Sequence, residues 1–135
     1  MLGPRDRVLL EGALGVGKTT FARALLQGLG VVQPPEGSPS FAIAHEYDSP
    51  RGPVVHVDLY RIRNEAEIEE AGISAYYWER DAIVIGEWIS MFPGFERALL
   101  NDSGDRGIWL VKLGFDSRPD MRSVEIQTFR PAPKK

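Results

Sequence analysis

The string Gly12-Ala13-Leu14-Gly15-Val16-Gly17-Lys18-Thr19 matches G-x-x-x-x-G-K-[ST] at every fixed position, and it constrains the fold more than any other feature of the chain. An apolar run, Arg7 to Glu11, precedes it; after it Phe21, Leu25, Leu26 and Leu29 recur at three- and four-residue spacings. That order reads as strand, loop, helix, the context in which this pattern cradles phosphate. Glycines allow backbone conformations and close approaches that side chains block, so successive N–H groups and the helix N-terminus can point at phosphate oxygens. Ala13, Leu14, Gly15, Val16 and Gly17 then line the phosphates. Lys18 reaches the β- and γ-phosphates as a compact charge, and the Thr19 hydroxyl ligates magnesium. For Thr20 two readings stand: contact with the α-phosphate, or packing in the first helical turn. The helix is expected from Gly17 or Lys18 to about Leu29, with Gly28 and Gly30 punctuating its end.

The rest of the chain reads as short elements between breakers. Val31 to Ser40 holds three prolines and is expected to be a loop. Phe41 to Tyr47 reads as a strand, Asp48 to Pro53 as a turn, and Val54 to Leu59 as a second strand, the pair being a hairpin or two sheet neighbours. Asn64 to Ala71 reads as a solvated helix capped by Gly72, and Ala82 to Gly86 as a buried strand. Pro93 to Leu100 suggests a helical turn and Asn101 to Gly107 a loop. Ile108 to Phe115 and Ser123 to Phe129 read as a closing antiparallel pair, and 130–135 as a frayed tail.

Composition narrows the function. A chain of 135 residues fits one domain, 1–135. The net charge of −3 and the scattered Lys and Arg leave no footprint for general nucleic-acid binding, so direct RNA binding is not expected. The absence of cysteine excludes disulfides, thiolate zinc sites and cysteine nucleophiles. Apolar stretches far short of about 18 residues, and an N-terminus without a hydrophobic core, give the expectation of a cytoplasmic protein with no membrane partner.

Phosphate-loop enzymes also need a carboxylate at a strand end to hold magnesium or its waters, and a group that orients the attacking water. Asp58 in the Val54 to Leu59 run and Glu87 after Ala82 to Gly86 both qualify, since ligands bind beyond the carboxyl ends of the strands. Each has a structural alternative. Asp58 can cap or pair with Arg61 or Arg63, and Glu87 can simply leave the sheet for solvent. His56 reads as a packed strand histidine rather than a metal ligand. Arg61 is a candidate for a charge-stabilising arginine. Trp78, Trp88 and Trp109 are open between core, interface and base stacking, with Trp88 expected near the nucleotide.

Four blocks together resemble the TsaE (YjeE-type) ATPases of bacterial tRNA threonylcarbamoyladenosine biosynthesis: GALGVGKTT at Gly12 to Thr20, SPSF at Ser38 to Phe41, HVDLYR at His56 to Arg61 and GEW at Gly86 to Trp88. The resemblance implies a three-layer α/β fold of the P-loop NTPase kind, with a mostly parallel sheet; antiparallel additions are expected near the C-terminus. It implies ATP as nucleotide, Thr19 and Glu87 as magnesium ligands, and Asp58 near the γ-phosphate. Switch-like behaviour is implied for Ser38, Ser40 and Phe41 and for the segment of His56, Tyr60 and Arg61. It further implies slow ATP hydrolysis in concert with TsaB and TsaD, whose complex transfers the threonylcarbamoyl group to the adenosine beside the tRNA anticodon.

Three departures from the family pattern carry expectations. Ser40 replaces the usual threonine and keeps its hydroxyl. Gly86 stands where an aliphatic residue is usual and is expected to loosen the strand end. Family members usually carry a helical segment and a strand before the phosphate loop, so part of the adenine pocket is expected to be missing or altered here. Two other functions use the same loop: a small-molecule kinase, which needs an acceptor pocket and an arginine-rich lid, and a nucleotide-gated binding module that does not hydrolyse.

Overall fold

The structure is a computed structural model that describes residues 5–13, 16–31, 44–101, 106–118 and 121–129. Leu14, Gly15, Ser38, Ser40 and Phe41, all of the expected Val31 to Ser40 loop except Val31, and the 130–135 tail lie outside the described residues.

Strand β1 (Arg7–Glu11) runs into the glycine-rich loop and helix α1 (Lys18–Gly28). Strands β2 (Ala44–Ser49) and β3 (Gly52–Asp58) form an antiparallel hairpin, which settles the choice between hairpin and mere neighbours. Helices α2 (Glu65–Glu70) and α3 (Ile73–Trp78) lead to β4 (Ile83–Glu87). A 3-10 turn (Ile89–Met91), helix α4 (Pro93–Asn101), and strands β5 (Ile108–Phe115) and β6 (Arg122–Phe129) complete the order.

Six strands form one sheet in the order β2-β3-β4-β1-β5-β6. The pairs β3–β4, β4–β1 and β1–β5 are parallel, whereas β2–β3 and β5–β6 are antiparallel. The antiparallel additions therefore sit at both edges, not only near the C-terminus. A two-residue turn can return the chain only antiparallel, while a parallel neighbour needs a crossover. Pro50-Arg51 supplies such a turn, and Gly52 follows at φ +103°.

Alternation along the strands builds three layers. Val8 and Leu10, Val54, Ile83 and Ile85, and Val111 and Leu113 face α1 and pack with its Ala22 and Leu26. Leu9, Val55, Val57, Val84 and Ile108 face the other way, onto Ile68, Ile73, Tyr77, Phe95 and Leu99 of α2, α3 and α4. Helix α3 and the 3-10 turn are elements that local pattern does not reveal. Each is one or two turns long, and their helical backbone is held by tertiary burial of Ile73, Tyr77 and Ile89 rather than by propensity. Asn64 caps α2, its side chain accepting from Glu67 N–H, and Gly72 at φ +73° turns the chain into α3.

Candidate functional site

The parallel strands end on one edge of the sheet, and there the chemistry gathers. Strand β1 delivers the loop, β4 ends on Glu87, and β3 ends on Asp58, which lies opposite Glu87 in register. Glu87 is the last residue of its strand, not the first beyond it, and it is 2% exposed, so the solvent-facing alternative does not hold. Strand parity explains its direction: Ile83, Ile85 and Glu87 share the face toward α1, as do Val54, His56 and Asp58.

Glu87 is held on both oxygens. His56 Nε2 donates to Oε2 at 2.5 Å, both residues being buried, and the Thr19 hydroxyl approaches Oε1 at 3.4 Å. The carboxylate is the acceptor, so Nε2 carries the proton of that bond, and His56 Nδ1 is buried without a partner among the described residues. The Thr19 contact is long for a hydroxyl hydrogen bond. Among the described residues no group of three or more His, Asp or Glu forms a protein cage for a metal. Thr19 and Glu87 are the pair of oxygens that could hold a magnesium ion, which is commonly bound beside phosphates through one or two protein ligands.

Lys18 lies one residue before Thr19 and is buried. Its Nζ donates to Gly12 O at 2.6 Å and Ala13 O at 3.0 Å and sits 4.0 Å from the centre of the Trp88 ring. Burial pushes the ammonium below the usual lysine range, against the pull of the Glu87 and Asp58 charges toward the protonated form. The loop backbone suits an anion. Gly12 sits at φ +151°, where a Cβ would lie 2.6 Å from the Leu113 carbonyl oxygen; Gly17 sits at φ +109° with open space in the Cβ direction. Val16 N–H donates to Ala13 O at 3.1 Å, and Thr20 is exposed in the first turn of α1.

Trp88 is the one non-glycine residue at positive φ, +66°, among the described residues. That conformation is costly for a bulky side chain, and it lays the indole over Lys18 and against Tyr60, with ring centres 5.0 Å apart. Asp58 Oδ1 accepts Tyr60 N–H at 2.9 Å, which realises the capping alternative at the strand end. Tyr60 and Arg61 are exposed beside it. Lys18, Thr19, His56, Asp58, Tyr60, Glu87 and Trp88 thus converge, although three separate stretches of chain carry them. Trp78 and Trp109 lie elsewhere: Trp78 packs edge-on to Phe95, and Trp109 donates to Asp6 Oδ2 at 2.9 Å.

Sequence reasoning missed Arg122 altogether. Its Nε donates to Val16 O at 3.2 Å, so the start of β6 is tied to the phosphate loop. No local signal marks it, because its acceptor is a backbone carbonyl far away in the chain.

Comparison with known proteins bears on the same segments. A family model described as threonylcarbamoyl adenosine biosynthesis protein TsaE matches residues 1–106. A tRNA threonylcarbamoyladenosine biosynthesis protein TsaE from Haemophilus influenzae is 41% identical over 119 residues, 88% of this chain and 68% of that protein. One from Aquifex aeolicus is 41% identical over 82 residues, 58% of this chain and 62% of that protein. One from Bacillus subtilis is 38% identical over 85 residues, 63% of this chain and 51% of that protein. The chain thus spans about half to two thirds of the length of these relatives. With the family model covering most of the chain, from strand β1 to the end of α4, the protein belongs to the TsaE family.

Proposed function

We propose that the chain is a single ATPase domain that binds ATP with Mg2+ and hydrolyses it slowly. It acts in the cytoplasm with TsaB and TsaD in forming tRNA threonylcarbamoyladenosine and meets tRNA only indirectly. The observation that carries this reading is the buried Glu87 held between the Thr19 hydroxyl and His56, next to a buried lysine at the end of a glycine loop.

In this reading Ala13 to Thr20 hold the phosphates through backbone N–H groups, and Thr19 and Glu87 hold the cation. The cation, when bound, neutralises charge on the β- and γ-oxygens. Lys18 exchanges its two loop carbonyls for phosphate oxygens and offsets the charge that grows on them in the transition state. Trp88 over the ammonium excludes water from that contact. Asp58 or its register partner Glu87 orients the attacking water, and release of the Asp58 bond to Tyr60 N–H would carry the change into Tyr60 and Arg61. Ser38, Ser40 and Phe41 complete the switch, and the partners read it.

The test is phosphate release from ATP with magnesium, for the chain alone and with TsaB and TsaD, with Lys18→Ala as control. Partner-stimulated release that falls at least about a hundredfold in Lys18→Ala is expected. Absence of release in both conditions, or turnover indifferent to Lys18, would overturn the ATPase assignment. The proposed coupling to TsaB and TsaD would be overturned if the partners left the rate unchanged.

A further inference from the structure

We propose that the side of the β5–β6 hairpin next to α1 is a berth for an amphipathic helix of a partner protein, apolar along one stripe and acidic on its flanks.

The layers are unequal. Three helices cover one face of the sheet, whereas among the described residues α1 is the one helix on the other. Helix α1 packs on β1 and on both neighbours of β1, strands β4 and β5. Strand β6 stands two strands from β1, which at about 4.8 Å per strand is about 10 Å. Packed helices lie about 8–10 Å apart, so a second helix beside α1 would run over β6.

The surface at that place is apolar. Val124 and Ile126 pair in register with Leu113 and Val111, so they share the side of the hairpin that faces α1. Leu113 and Val111 are buried, yet Val124 and Ile126 are 50% and 52% exposed. Between Ile126, Val111 and Trp109 on the sheet and Phe21 and Leu25 on α1 lies a cavity of about 330 Å³. It has room for a large aromatic anchor, the kind of residue that dominates binding energy at interfaces.

Charge and length choose the occupant. The chain carries a net −3, yet α1 contains no acid, and neither do the hairpin positions on this side. Arg51 is the one charged residue among the described residues that line the cavity. Arg122 stands at the far end of the same strip, opposite Phe115, while Lys112 and Glu125 pair on the other face. An apolar floor with a cation at each end matches a helix with acidic flanks. The eight residues of β6 span about 27 Å, the length of about 18 helical residues. A small ligand needs enclosure over most of its surface, and this strip lies open along β6. An added strand would pair with the edge of β6 and leave its face bare.

The experiment titrates two labelled, lactam-stapled helical peptides of about 18 residues against the full chain by fluorescence anisotropy. Both carry leucine and phenylalanine along one stripe; one has glutamate on its flanks, the other lysine. The glutamate peptide is expected to bind at least about tenfold more tightly than the lysine peptide. Ile126→Glu and Arg51→Glu, both at exposed positions, are each expected to weaken the glutamate peptide about tenfold with unchanged urea midpoints. The comparison of the two peptides on wild type needs no variant, so it stands even where a substitution unsettles the fold. Absence of binding by the glutamate peptide, equal affinity of the two peptides, or indifference to Ile126→Glu would overturn the berth. Two other occupants would overturn it as well. Wild type that dimerises in sedimentation, and loses the dimer in Ile126→Glu, gives the face to a second copy. Dodecanoate bound in preference to both peptides gives it to a small amphiphile.

Discussion

At the scale of single residues, the site depends on where Glu87 is aimed. A buried carboxylate at a strand end keeps its rotamer only if something holds it, and His56 Nε2 at 2.5 Å is the group that does so. Groups that orient metal ligands without touching the metal typically change affinity 10- to 100-fold when removed. His56→Leu is therefore expected to weaken Mn2+ binding to the nucleotide complex about tenfold, read by electron paramagnetic resonance titration. His56→Gln, whose amide can place an N–H where Nε2 stands, is expected to recover most of that loss. Equal affinities in wild type and both variants would show that Glu87 needs no such support. Of this arrangement, Lys18, Thr19, Asp58 and Glu87 were legible from motif and strand position. The His56 to Glu87 bond was not, because the alternation pattern says which face a histidine takes but not what it meets across a strand.

At the scale of elements, Gly86 reverses an expectation. Glycine inside a strand ordinarily weakens it. Here a Cβ at Gly86 would stand 2.5 Å from the Tyr77 hydroxyl and 2.9 Å from Ile89 Cδ1, so the missing side chain lets α3 and the 3-10 turn pack onto β4. The strand end is filled rather than loosened. Gly86→Ala is expected to destabilise the fold by about 1–3 kcal/mol in urea unfolding. Tyr77→Phe in the same background removes the oxygen that collides, and that hydroxyl is buried without a hydrogen-bond partner among the described residues. The double variant is thus expected to regain part of the loss, and strict additivity of the two substitutions would contradict the packing account.

For the whole molecule, one buried charge joins the layers. Arg7 opens β1 in what reads as an apolar run, yet its guanidinium is buried, donating to Leu99 O at 2.9 Å and Tyr77 O at 2.7 Å. Those carbonyls lie at the C-terminal ends of α4 and α3, where helix dipoles favour a cation, and the guanidinium also lies 5.0 Å from the Trp78 ring centre. Arg7→Met keeps the apolar stem but strands both carbonyls. A loss of about 3 kcal/mol is expected by guanidinium chloride unfolding with little change in nucleotide affinity, since the site lies at the other end of β1. A loss under about 0.5 kcal/mol would mean that water or the helices themselves satisfy those groups.

The sequence by itself determined the strand-loop-helix unit, the two strand-end carboxylates, the parallel core and the family, because each is written in spacings within about twenty residues or in blocks of fixed order. Tertiary structure alone decided what depends on contacts between distant segments. The second edge hairpin, the short helix α3, the clasp of His56 on Glu87, the seat of Arg7 and the pairing of Phe115 with Arg122 at the phosphate loop belong to that group. Periodicity reports which face of an element is apolar; it carries no information on which backbone carbonyl or ring the folded sheet will bring to that face.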